Sequence, residues 1–123
     1  MIKKIICLFA SFLILPVAAG QLDDALKNNK KVFLYLTSSS CRYCVMFDSI
    51  YEKVSKIYAD KCCFLKFDVA SKEGVNIAKN LRVNYVPYVV LVEAKNGDGY
   101  NVPTKCLLSF SCCEKVVNDF VNR

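Results

Sequence analysis

The sequence predicts a small α/β sandwich, a mixed four-stranded sheet with helices on both faces. Three observations lead to it. Short continuous apolar runs alternate with longer stretches whose apolar residues recur every three or four positions, the order expected of strands joined through helices. Near the C-terminus two strands follow one another across Asn-Gly and Asp-Gly turn signals, as in an antiparallel hairpin. The 123 residues suffice for one domain and are too few for two ordinary ones.

The first segment stands apart from that domain. Met1–Lys4 is a short basic stretch, Ile5–Leu15 is apolar, and Val17-Ala18-Ala19 supplies small residues. This is the pattern of a secretory signal peptide over residues 1–19, cleaved after Ala19, with the domain occupying 20–123. The apolar stretch is shorter than the ~20 residues a membrane helix requires, although an uncleaved anchor is the rival reading.

The elements of the domain follow in order. "QLDDALKNN" places Leu22, Ala25 and Leu26 at helical spacing and ends near Asn28-Asn29. "KVFLYLT" is continuously apolar, as in a strand buried on both faces. From Cys44 onward, Phe47, Ile50, Tyr51, Val54, Ile57 and Tyr58 describe a helix of about four turns. "CCFLKFDV" reads as a second strand, parallel to the first through a right-handed crossover. "SKEGVNIAKNLRV" holds a short helix with Val75, Ala78 and Leu81 on one face, and Tyr88–Glu93 is a third strand. "KNGDGYNVP" reads as a turn and "TKCLLSF" as the fourth strand. The last helix is expected to start at a capping box of Ser111 and Glu114 and to bury Cys113, Val116, Val117, Phe120 and Val121.

The bulk composition narrows the function. Hydrophobic residues make up 54% of the chain, enough for a core without staples, yet there are 8 cysteines. The net charge of +6 comes largely from scattered lysines and reads as solubility. A nucleic-acid surface would need a basic cluster interleaved with aromatics, and none is present.

The chemistry concentrates in "TSSSCRYCVMF", Thr37–Phe47, where Cys41 and Cys44 stand two residues apart between a buried strand and an amphipathic helix. A metal site, a structural disulfide and a redox-active pair all use this spacing. Zinc would need four converging ligands, normally as two such pairs, and the chain has one pair and no histidine. A structural disulfide explains the spacing but not the placement after a buried strand. Only a thiolate attacks a disulfide, and the unpaired N–H groups and dipole at a helix start stabilise a thiolate. Cys41 occupies such a start, with the cation Arg42 beside it.

With the pair Cys41-Arg42-Tyr43-Cys44 after the first core strand, the Val86-Pro87 step roughly forty residues later, and the β-α-β then β-β-α order, the chain resembles the thioredoxin-fold family from about Leu22 to Val121. The resemblance implies a thioredoxin-like three-layer sandwich with a mixed four-stranded central sheet flanked by helices. It implies that Cys41 is the nucleophile and Cys44 the resolving thiol of a thiol–disulfide oxidoreductase, without cofactor or metal. It also implies that the loop carrying a cis Pro87 faces the cysteine pair. Val86 would then offer backbone groups to an extended substrate segment, with Arg42 and Tyr43 as further substrate contacts. An ordinary strand-entry turn at Val86-Pro87 is the alternative.

The chain also departs from that family. Ser40 stands where thioredoxins have a tryptophan, and Arg42-Tyr43 where they have Gly-Pro. Tyr35 occupies the position of the buried aspartate six residues before the nucleophile. Without that carboxylate, resolution is expected to rely on water or another group. Since no unit beyond the thioredoxin-like domain is read here, the expectation tilts toward a reductase or electron relay. Substrates are expected to be cysteine-containing exported proteins, with a membrane redox partner recycling a monomer in the periplasm or outside the cell. A non-enzymatic binding module with a permanent disulfide is the rival reading.

Five cysteines remain in the domain. Cys62 and Cys63 are strand neighbours pointing to opposite faces, so they are not expected to pair with each other. Cys113 reads as a buried small hydrophobe. Cys112 falls in the first turn of the last helix and reads as the reactive one, although a Cys106–Cys112 link is conceivable because the chain turns back between them.

Overall fold

The computed structural model describes residues 20–29 and 31–123. The signal peptide expected over residues 1–19 lies outside the described residues. The elements run α1 Gln21–Asn28, β1 Lys31–Thr37, α2 Arg42–Ile57, β2 Cys63–Asp68, α3 Lys72–Leu81, β3 Tyr88–Glu93 and β4 Asp98–Asn101. A 3-10 turn at Thr104–Leu108 then leads into α4, Phe110–Val121. The sheet order is β2-β1-β3-β4, with β1 parallel to β2 and antiparallel to β3, and β3 antiparallel to β4.

The two interior strands alternate between two separate cores, because successive strand residues face opposite sides. Phe33 and Tyr35 of β1, with Val89 and Leu91 of β3, pack under α2, the 3-10 turn and α4. Val32, Leu34 and Leu36, with Val90, pack on the opposite side against Ala25 of α1 and Ile77 of α3. The result is a three-layer sandwich, as the sequence predicts. Cys62 and Cys63 divide between these two cores, in keeping with their expected opposite directions.

The C-terminal third departs from the sequence reading. "TKCLLSF" is not a strand; its residues 104–108 form the 3-10 turn, whose Cys106 and Leu107 are buried in the core beneath α2 and α4. The fourth strand is instead Asp98–Asn101, paired with β3 directly after the turn at Gly97, whose φ of 76° suits a residue without a Cβ. A tight turn must return the chain into register at once, so the strand begins next to its turn signal. Pro103, lacking an N–H, follows soon after the strand.

Helix details shift as well. Ser109, not Ser111, caps α4, its hydroxyl accepting from the Cys112 N–H at 3.3 Å. Glu114 therefore serves no capping box; it accepts a hydrogen bond from the Tyr58 hydroxyl at the end of α2. The buried face of α3 is Gly74 and Ile77, whereas Val75 and Leu81 are exposed, as is Ile57 of α2. Ala78 of the expected stripe is half-buried against this core, while Gly74 marks the inward face with no side chain to show it.

Cys106 and Cys112 form a disulfide with a Cα separation of 5.1 Å, tying the 3-10 turn to the first turn of α4. Cys112 is thus not the reactive thiol its helical position suggested. Cys113 is a free thiol, fully buried, and burial pushes it up to about 12. Its folded value is raised, so its contribution to stability is whole below the ordinary thiol value of ~8.5 and is lost as pH rises toward about 12. Denaturant unfolding between pH 7 and 10 should therefore show stability falling above pH ~8.5, with a slope approaching about 1.4 kcal/mol per pH unit from this thiol. Cys113→Ala should flatten that slope; an unchanged slope would assign the loss to other groups.

Candidate active site

Cys41 sits at the N-cap of α2, in extended conformation after β1 and the loop Ser38–Ser40. Its sulfur accepts a hydrogen bond from the Cys44 N–H at 3.1 Å, one of the orphan donors that a helix start leaves unpaired. The two cysteines form a disulfide with a Cα separation of 5.2 Å, which the three-residue advance along one helical turn allows. They differ in access. Cys41 is partly exposed, while Cys44 is 1% exposed against the core.

The loop before β3 closes the other side. The Val86 carbonyl oxygen lies 3.7 Å from the Cys41 sulfur. The Val86–Pro87 peptide is cis; Val86 is half-buried and Pro87 buried. Arg42 and Tyr43, between the cysteines, are both exposed, Tyr43 by 53%. Tyr85, also exposed, packs edge-on against Tyr88 with ring centroids 5.6 Å apart. The sequence-predicted set Cys41, Arg42, Tyr43, Cys44, Val86 and Pro87 is thus drawn from the start of α2 and the loop before β3, with Cys41 and Val86 in contact where the two meet.

The sequence reading missed what lies beneath the pair. Tyr35, fully buried in β1, places its hydroxyl 2.8 Å from Asp48 Oδ1, 3.1 Å from the Cys44 carbonyl oxygen and 3.2 Å from Thr37 Oγ1. Burial pushes its phenol far up, so Tyr35 remains a donor throughout the physiological range. Lys66 of β2 pairs with Asp48 at 3.2 Å. One signal was available in the sequence: Asp48 follows Cys44 by four residues, which on a helix means the same face. Among the described residues, no group of three or more His, Cys, Asp or Glu is placed to hold a metal ion.

A thioredoxin-like domain family model matches residues 19–106. The chain belongs to this thioredoxin-like family. Thioredoxin H4 of Arabidopsis thaliana is 32% identical over 74 residues, 60% of each chain, so the match spans less than two thirds of that relative. Among solved structures, the J-Trx1 fragment of ERdj5 superposes with a TM-score of 0.72 at 12% identity, over 84% of this chain and 49% of that one. Mitochondrial thioredoxin 3 of Saccharomyces cerevisiae, in its oxidized form, gives a TM-score of 0.60 at 25% identity over 80% of this chain and 87% of its own. The thioredoxin-like match covers β1, α2 and the cysteine pair, and it includes the Val86-Pro87 loop.

Proposed function

We propose that the protein is an exported thiol–disulfide oxidoreductase that exchanges disulfides with cysteine-containing exported proteins through Cys41 and Cys44. The observation that carries this reading is the asymmetry of the pair on a thioredoxin-like domain: a partly exposed sulfur at a helix N-cap, with its disulfide partner one turn on and buried. That arrangement suits a two-step exchange. The Cys41 thiolate attacks a substrate disulfide, and Cys44 then attacks the mixed disulfide and frees the substrate. The Val86 carbonyl, Arg42 and Tyr43 surround the place where the substrate segment would lie.

Export rests on the sequence of residues 1–19, and places the protein in the periplasm or outside the cell. A membrane redox partner would restore the pair after each turnover, with the protein working as a monomer in the direction of substrate reduction or electron relay.

The test is equilibration of the folded protein with glutathione buffers, read by alkylation of the two cysteines. A redox pair should open in millimolar dithiothreitol and give a potential within the range of about −270 to −120 mV spanned by such proteins, with the reductase direction at the lower end. A potential below about −300 mV, with a pair that stays closed in the folded state, is the behaviour of a structural disulfide and would assign the chain to a binding module.

A further inference from the structure

The exchange proposed above requires Cys44 to lose a proton before its sulfur attacks the mixed disulfide. At 1% exposure, that thiol has almost no contact with bulk water. Its proton therefore needs an acceptor near this buried turn, and three elements converge on one carboxylate there.

Asp48 stands one helical turn beyond Cys44 on the same face of α2. Helical side chains lean toward the N-terminus, which carries the Asp48 carboxylate back toward the Cys44 turn. From β1, the Tyr35 hydroxyl reaches both residues, 2.8 Å from Asp48 Oδ1 and 3.1 Å from the Cys44 carbonyl oxygen. A phenol has one proton to give, and the carboxylate oxygen at the shorter distance takes it. From β2, Lys66 pairs with the same Oδ1 at 3.2 Å, with its ammonium over the rings of Tyr35 and Tyr51. Tyr51, the other titratable group of this cluster, is kept protonated by burial. Glu114 of α4 is engaged with Tyr58 at the far end of α2.

Tyr35 and Lys66 thus fix one carboxylate oxygen and leave Oδ2 outside these contacts. The Asp48 side chain is 39% exposed, so its carboxylate can exchange a proton with water.

We infer that Asp48 accepts the Cys44 proton during resolution, and that Tyr35 and Lys66 are positioning residues that hold its carboxylate for that step. The inference rests on the exchange reading. As the proton passes to Asp48, the Cys44 sulfur lone pair forms the bond to the Cys41 sulfur. The bond between Cys41 and the substrate sulfur breaks, and its electron pair leaves on the substrate as a thiolate. Cys41 and Cys44 end oxidised, the substrate disulfide ends reduced by two electrons, and Asp48 returns its proton to solvent.

The experiment follows the two steps separately. Reduced full-length protein is mixed in a stopped-flow instrument with dithiobis(nitrobenzoate), an aromatic disulfide with a coloured thiolate. Attack by Cys41 releases one thiolate, and attack by Cys44 on the mixed disulfide releases a second. Asp48→Asn should leave the first phase near its wild-type rate and slow the second by roughly 10²-fold at neutral pH, the lower end for general acid–base catalysis. Its second phase should rise in proportion to hydroxide, which then replaces the missing carboxylate, whereas the wild-type phase should depend on pH less steeply. Tyr35→Phe, which keeps the ring packed on Phe47 and Tyr51, should slow the second phase in the same direction.

A folded Asp48→Asn protein with the wild-type second phase and pH profile overturns the inference, whatever Tyr35→Phe does, and leaves the exchange reading standing. A wild type that never releases the second thiolate removes the exchange reading itself.

Discussion

Cys44→Ser should accumulate covalent complexes with disulfide-bearing proteins, while Cys41→Ser should form none above background. The substitution at Cys44 deletes the resolving sulfur and leaves the partly exposed nucleophile at the N-cap of α2, so the mixed disulfide forms and has no internal exit. The reverse substitution leaves only a thiol that is 1% exposed, which an incoming protein disulfide does not reach. Turnover should fall to the level of the double variant in both cases, but by stalling at different steps. Non-reducing electrophoresis followed by release with dithiothreitol separates the two. The double variant should give a low background, because Cys112 is bonded to Cys106 and Cys113 is fully buried. Complexes as abundant in Cys41→Ser as in Cys44→Ser would mean that the roles of the two sulfurs are wrongly assigned.

The second large effect concerns stability at a site remote from the cysteines. Gly74→Ala should lower Tm by roughly 10 °C, from an overpacking cost of about 1–3 kcal/mol. A Cβ at Gly74 would overlap the backbone carbonyl oxygen of Asp68 and stand 2.9 Å from Ser71 Oγ. Neither neighbour is free to yield. The Asp68 carbonyl accepts from the Ser71 hydroxyl at 2.7 Å and from the Ser71 N–H at 3.0 Å, while the Ser71 hydroxyl accepts from the Gly74 N–H at 3.0 Å. This knot fastens the first turn of α3 to the end of β2. Alanine is the better helix former by nearly 1 kcal/mol, so a purely local account gives the opposite sign. Thermal unfolding decides: an unchanged or higher Tm means that α3 moves off β2 at little cost.

The same glycine explains part of what the sequence concealed. An apolar stripe is visible only where side chains are apolar, and α3 buries a residue with no side chain, so the sequence points inward along Val75, Ala78 and Leu81, of which only Ala78 packs on the core beside the buried Gly74 and Ile77. β1 and β3 were legible because their interior positions make them continuously apolar. β4 was not, because all four of its residues are exposed and none advertises a buried face. The apolar Cys106 and Leu107 drew the strand reading to themselves, since a run of this length has the same look in a strand and in a helical turn packed on a core. At the site, Cys41 and Cys44 are neighbours in sequence and were read directly. Tyr35, Asp48 and Lys66 come from β1, α2 and β2, and only the parallel pairing of the two strands beneath the helix brings them together. In the sequence Tyr35 marks only a missing carboxylate; that one arrives from the helix instead is a tertiary fact.

Lys31 closes the molecule. From the first residue of β1, its ammonium pairs with Glu93 at the end of β3 and donates to the Phe120 carbonyl at the end of α4, each at 3.0 Å. The strand that starts the sheet is therefore fastened to the helix that ends the chain, and α4 also supplies Cys113, Val117 and Phe120 to the core over Phe33 and Leu91. Without this helix, that side of the sheet keeps α2 and the 3-10 turn but loses Cys113, Val117 and Phe120, and Lys31 keeps Glu93 but loses the Phe120 carbonyl. The last helix is thus a clasp on the first strand: truncating it should loosen an element 89 residues away along the chain.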